Sequence, residues 1–321
     1  MGLKEDSIII AIHGLKNKNS AEVAENWWKQ AILEGLRKNC QVEPEFNFKL
    51  HYWADLIYKY PLHNDERYRF DKLYNHNPYK EAEQNSFTYY KPRLFGVSKG
   101  RQTLSQFVFR RTLNFLQRYN RISSWVSQKI LREVEFYYNE KVTIHSHSNQ
   151  QSSLRNILIK EFIEKIRQHQ GKRILILAHS MGAVIAYDAL RNIRSFLPNI
   201  NIELFITIGA PLTYSVFRTN PYLDTEHGHA RRILRTPTAV NSWFNIVDPD
   251  DLACYSRLRL FYYKNRKGVV VEDIFVKNEY QYTSHKTNKT VKNPHEVYGY
   301  LRTPEVSSLL LNFIENKKTT K

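Results

Sequence analysis

The sequence predicts an α/β fold: a mostly parallel sheet with helices on both faces and one large helical insertion. Three observations predict it. Short, predominantly apolar runs recur at residues 7–12, 173–177, 202–208, 243–247 and 269–276, as expected of strands in a covered sheet. Segments with apolar residues at helical spacing alternate with them at 20–38, 154–166 and 183–193. The rhythm then breaks between about residues 56 and 151, a stretch too long to be a loop of a compact domain. The expected organisation is therefore a core formed by residues 1–55 and 152–321, with 56–151 inserted.

Length and composition set the outer bounds. The chain has 321 residues, 42% of them hydrophobic, and a mean hydropathy of −0.56, which suits a large globular domain. No run approaches the apolar length of a membrane span, and the first residues lack the apolar core of a secretory signal. The two cysteines, Cys40 and Cys254, are too few for a disulfide framework and read as free thiols of a reducing compartment, so the expected location is the cytoplasm. The net charge of +17 predicts attraction to a polyanion such as nucleic acid, an anionic membrane or an acidic partner. No nucleic-acid-binding motif accompanies it, which disfavours the first of these.

Taken in order, residues 7–12 form a strand that ends in His13-Gly14-Leu15. Residues 20–38 read as a helix capped by Asn19 or Ser20, with Val23, Trp27, Ile32, Leu33 and Leu36 as its buried face. Residues 46–53 alternate as a strand. In the insertion, 56–90 is rich in Tyr and Asn and irregular, 101–138 is helical, and 143–151 is a polar return linker carrying His145 and His147. Residues 91–132 hold ten Lys or Arg and no Asp or Glu. Such a run is either the solvated face of a cap or a basic amphipathic surface for peripheral contact with an anionic membrane. A helix from 154 leads into the strand at 173–177, and another follows Ser180. The strand at 202–208 ends in Gly209-Ala210-Pro211. His227 and His229 lie in the irregular segment after it. The strand at 243–247 runs into Asp248-Pro249-Asp250-Asp251. A last strand at 269–276 leads through a polar loop to Asn293-Pro294-His295, and 304–314 is the closing helix with Pro at its first turn.

The chemistry concentrates at strand ends. Ser180 stands in Ala178-His179-Ser180-Met181-Gly182, between a buried strand and a helix, where a sharp turn exposes a nucleophile beside a helix N-terminus. The backbone N–H groups of Leu15 and Met181 are the candidate oxyanion donors. A serine needs an imidazole to take its proton and a carboxylate to orient that imidazole. Acids follow at 248, 250 and 251, then His295, with His285 as its rival. His13 and His179 belong to motifs with backbone duties of their own and are expected to wall the site.

On the motifs His13-Gly14-Leu15, Ala178 to Gly182, Gly209-Ala210-Pro211, Asn245 to Ala253 and Asn293 to Tyr298, the chain resembles the α/β-hydrolase superfamily, in its lipase- and esterase-like branch. The likeness covers 7–55 and 152–316 but not the insertion. The chain departs from the family in having Ala178 where Gly is commonest and in lacking the antiparallel strands that usually precede the oxyanion strand. The resemblance implies an α/β-hydrolase fold and makes Asp251 the acid, three positions into its loop, with Asp248 and Asp250 as rivals. It also implies a triad of Ser180, Asp251 and His295 acting on an acyl-ester small molecule or lipid, with no cofactor or metal. A thioesterase, an acyltransferase or a binding protein on the same scaffold would share these motifs.

Overall fold

The computed structural model describes residues 6–84, 87–91, 125–219, 234–254, 256–284 and 289–316. Most of the basic run, including Arg110, Arg111, Arg118 and Arg121, lies outside the described residues, as do His227, His229 and His285.

Six strands make one parallel sheet: β1 (Ser7–Ile12), β2 (Phe48–His51), β5 (Arg173–His179), β6 (Leu204–Ile208), β7 (Trp243–Val247) and β8 (Glu272–Phe275), in the order β2-β1-β5-β6-β7-β8. Two antiparallel hairpins lie apart from it: β3 (Thr143–His145) with β4 (Gln151–Ser153), and β9 (Gln281–Ser284) with β10 (Lys289–Lys292). Besides a single turn at Ser215–Thr219, the described α-helices are α1 (Ala21–Cys40), α2 (Trp125–Tyr138), α3 (Leu154–Arg167), α4 (Met181–Phe196), α5 (Val297–Leu301) and α6 (Pro304–Ile314). None of the described helices is long and apolar enough to cross a membrane.

Strand alternation explains the layers. Ile8, Ile10 and Ile12 of β1, with Ile174, Ile176 and Ala178 of β5, face α3 and α4 in one core. Ile9, Ala11, Leu175 and Leu177 face α1, α5 and α6 in the other. Both faces are covered, so the central strands β1, β5 and β6 are largely apolar, whereas the edge strands β2 (FKLH) and β8 (EDIF) carry polar residues. The sheet and its helices form the α/β-hydrolase arrangement.

Several expectations shift in detail. Ser20 caps α1, its hydroxyl accepting the Val23 N–H. The buried stripe of α1 is Ala24, Trp28, Ala31, Ile32, Gly35 and Leu36, one position round from the expected Val23, Trp27 and Leu33. Small residues win that face because α1 presses against the chain's end: a Cβ on Gly35 would lie 2.6 Å from the Leu301 carbonyl oxygen. The segment at 143–151 is not a plain linker. Its polar residues fold a hairpin through a turn in which Asn149 takes φ 61°, a value Asn tolerates. The polar loop before His295 likewise contains the β9–β10 hairpin.

The described part of the insertion is tied to the core by buried polar groups. On α2, Tyr137 donates to Asp188 Oδ2 at 2.9 Å, and Arg155 Nη2 reaches the same oxygen at 2.7 Å. The Arg155 guanidinium also lies over the rings of Tyr137 and Tyr138. Glu133 of α2 accepts the Lys16 N–H at 2.9 Å, beside the loop that follows β1. Removing one member of a buried ion pair leaves its partner's charge in a low-dielectric interior. Asp188→Ala is therefore expected to lower the unfolding free energy by about 3 kcal/mol, measured by denaturant titration; a loss below about 1 kcal/mol would show that the buried Tyr137–Asp188–Arg155 network contributes little to stability.

Candidate active site

The carboxyl ends of β1, β5, β6 and β7 converge on Ser180. Its backbone sits at φ 55°, ψ −126°, a region that costs a non-glycine residue energy and turns the chain abruptly from β5 into α4. The turn is held by Ser180 N–H to the Ile208 carbonyl at 2.9 Å and by the Ala183 N–H to the Ser180 carbonyl at 2.9 Å. Gly182 is required by closeness, since a Cβ there would meet the carbonyl oxygens of Ile12 and His13 at 2.6 Å. Ala178 needs no such freedom. It lies within β5, paired with Ile12 and Thr207, and its methyl packs in the core.

The loop after β1 comes up against this serine. A Cβ on Gly14 would stand 2.7 Å from Ser180 Cβ. His13 is buried and holds the loop from both sides. The Trp53 N–H donates to His13 Nε2 at 3.0 Å, so Nδ1 carries the proton and donates to the Gly14 carbonyl at 2.8 Å. The Trp53 indole donates to the His13 carbonyl at 2.9 Å and stacks on its ring. Burial, then the charge of Lys18, pushes His13 well below the usual imidazole range, so it stays neutral in this tautomer. Because a trans peptide sets its C=O and N–H in opposite directions, the His13 bond to the Gly14 carbonyl also orients the Leu15 N–H. Lys18 Nζ closes the loop by donating to the carbonyls of Leu15 and Lys16, at 2.5 and 3.0 Å. The Met181 N–H opens α4, among the first-turn N–H groups that have no partner within their own helix.

The acid and the imidazole come from distant parts of the chain. His295 Nε2 lies 3.0 Å from Ser180 Oγ, and His295 Nδ1 lies 2.9 Å from Asp251 Oδ2. Asp251 is 1% exposed, and its Oδ1 accepts the Ala253 N–H at 2.8 Å. The rival acids are occupied otherwise. Asp248 accepts the N–H groups of Asp250 and Asn278, at 2.7 and 2.5 Å, and burial pushes its carboxyl up to about 6. Asp250 is exposed in the turn. Five of the residues picked from the sequence are thus brought to one sheet edge: Leu15, Ser180, Met181, Asp251 and His295.

Other supports are not evident in the sequence. The three carbonyls around His295 are each bound. Asn278 Nδ2 donates to those of Pro294 and Glu296, both at 2.9 Å, and His179 Nε2 donates to that of His295 at 3.0 Å. Burial, followed by the nearby His295, pushes His179 below the ordinary range, so it serves as a neutral donor. Gly209, at φ +55°, lets acid and base meet beside β6: a Cβ there would lie 3.0 Å from Asp251 Oδ2 and 3.2 Å from His295 Nδ1. Tyr300 donates to Asp251 Oδ2 at 2.8 Å. Among the described residues no group of three or more His, Cys, Asp or Glu side chains is placed to hold a metal ion.

Residues 145–226 match the family model of lecithin:cholesterol acyltransferase. The matched segment and the six-stranded parallel sheet together give the chain an α/β-hydrolase fold. Within this fold the matched segment runs from the β3–β4 hairpin through the Ser180 elbow and β6, so it takes in the serine but neither Asp251 nor His295. No curated protein matches the chain.

Gly209→Ala tests how tightly this α/β-hydrolase holds Asp251 against His295. The added methyl is strained at positive φ and crowds both side chains. Turnover is expected to fall at least about tenfold while the thermal midpoint drops only as far as a strain of about 1–2 kcal/mol requires. Unchanged turnover would show that the Asp251–His295 contact tolerates displacement.

Proposed function

We propose that the protein is a serine hydrolase that cleaves a carboxylic ester of a lipid or other acyl substrate. The observation that carries this reading is the unbroken chain from Ser180 Oγ through His295 to buried Asp251, at 3.0 and 2.9 Å. In this reading His295 Nε2 takes the Ser180 proton as Oγ attacks the acyl carbonyl. The oxyanion accepts the N–H groups of Leu15 and Met181, each such donor typically contributing about 3 kcal/mol to lowering the barrier. Collapse expels the alcohol, which takes the proton back from His295. Water, deprotonated by the same nitrogen, then releases the acid and restores Ser180. Asp251 keeps the proton on His295 Nδ1 and stabilises the imidazolium.

A second reading is favoured by the acyltransferase name of the matched family: an acceptor alcohol in place of water at the second step. The geometry of the triad serves both. A purely binding role would not require the hydrogen-bonded series from serine to acid. We read 56–151 as an insertion whose helix α2 lies beside the site, supported by the contact of Glu133 on α2 with Lys16.

Ser180→Ala is expected to abolish ester cleavage and fluorophosphonate labelling with little change in thermal midpoint. His295→Ala and Asp251→Asn are each expected to lower kcat by about three to four orders of magnitude, the acid's effect being the smaller. Substantial cleavage by folded Ser180→Ala would overturn the assignment. Products separated by chromatography in the presence of a long-chain alcohol distinguish the two outcomes: free acid alone supports hydrolysis, and a new ester supports transfer.

A further inference from the structure

The acid of this site has a third partner that the triad does not require. Tyr300 lies on α5, five residues after His295, and is fully buried. Its hydroxyl donates to Asp251 Oδ2 at 2.8 Å, the same oxygen that His295 Nδ1 approaches at 2.9 Å. The hydroxyl also accepts the Asp248 N–H at 3.2 Å, which ties its position to the start of the acid loop. Cys254 Sγ lies 3.4 Å from Asp251 Oδ2 and 3.3 Å from the Tyr300 hydroxyl, but a thiol is a weak donor. With the Ala253 N–H on Oδ1, the carboxylate is surrounded, and Tyr300 and His295 are the two strong donors that share one oxygen.

We propose that Tyr300 is a positioning residue of the reaction, holding the Asp251 carboxylate in line with His295 and drawing off part of its negative charge. The inference rests on the triad proposed above. Its physical basis is competition. A carboxylate oxygen that already accepts a strong hydrogen bond is a poorer acceptor for a second. Asp251 therefore stabilises the His295 imidazolium less than an unshared carboxylate would, which suits a base that must return its proton to the leaving alcohol within one turnover. Burial pushes the Tyr300 phenol well above its ordinary range, so the hydroxyl remains a donor at every working pH. The other titratable groups facing the pair are Asp248 and Cys254 on the acid loop, His179 at the end of β5, its ring 4.8 Å from that of His295, and Glu296 next in the chain. Of these, Cys254 alone reaches the Asp251 carboxylate, and weakly.

The sign of the effect follows. Without the phenol, Asp251 offers its full charge to His295 and the imidazolium is favoured. The experiment measures kcat and KM against pH for a soluble short-chain ester. It uses the wild-type chain, Tyr300→Phe, and a chain with 3-fluorotyrosine at position 300, whose phenol is a stronger donor. For Tyr300→Phe, kcat is expected to fall about tenfold with KM within about twofold, and the acid limb of the profile to move up by about half a pH unit. The fluorinated chain keeps both hydrogen bonds, so it folds as the wild type does, and its acid limb is expected to move down. A merely structural tyrosine would move neither limb. Acid limbs that coincide with wild type in both variants, or that move in the opposite directions, overturn the inference. Fluorophosphonate labelling of wild-type Ser180 separates the two layers: a labelled enzyme with unmoved limbs removes Tyr300 alone, whereas an unlabelled wild type removes the hydrolase reading and this inference with it.

Discussion

A serine held at φ 55°, ψ −126° is the constraint around which this sheet edge is built. Such a conformation costs a non-glycine residue on the order of 1–3 kcal/mol and persists only where its surroundings leave no alternative. Those surroundings are specific. Strand β5 is paired on both sides, with β1 and β6, and fixes the chain up to His179. The Ile208 carbonyl takes the Ser180 N–H. Gly14 and Gly182 are bare because two other backbone segments pass within contact distance. A relaxed backbone at this position would swing Oγ away from His295 and move the Met181 N–H with it. One strained residue thus couples the position of the Ser180 hydroxyl to that of the Met181 N–H.

The position of His295 is secured differently. His295 sits on a loop, and loops are the mobile parts of such folds. Here the carbonyls of 294, 295 and 296 are all bound, by Asn278 and His179, so the loop has little freedom to rotate. His13 and His179 are both neutral donors in the walls. Each spends its proton on a backbone carbonyl, one in the oxyanion loop and one in the base loop. These two histidines, one after β1 and one at the end of β5, therefore hold the two segments that meet over the elbow.

The sequence made the sheet legible because its central parallel strands, buried on both faces, are short and largely apolar. It made Ser180 legible because an elbow compresses its requirements into five residues. The acid was narrower ground: Asp248, Asp250 and Asp251 are equally acidic in the sequence, and what separates them is contact with His295, a residue 44 positions away. Tyr300 and Asn278 had no signal at all, since a tyrosine on a short helix and an asparagine after a strand look like any other. Their roles arise only when β7, the segment after β8 and α5 are brought together. The one-residue rotation of α1 has a similar origin. Local periodicity marked its large apolar side chains, whereas tertiary packing chose its small ones, Ala24, Ala31 and Gly35.

The central claim is that Ser180, activated by His295, carries the acyl group covalently. Rapid acid quench of the enzyme turning over an activated ester, followed by intact-mass and peptide mass spectrometry, observes that species directly. The account predicts one acyl addition per chain, mapped to the peptide that contains Ser180 and absent from His295→Ala. Turnover without any acyl adduct, or an adduct on another residue, would contradict it.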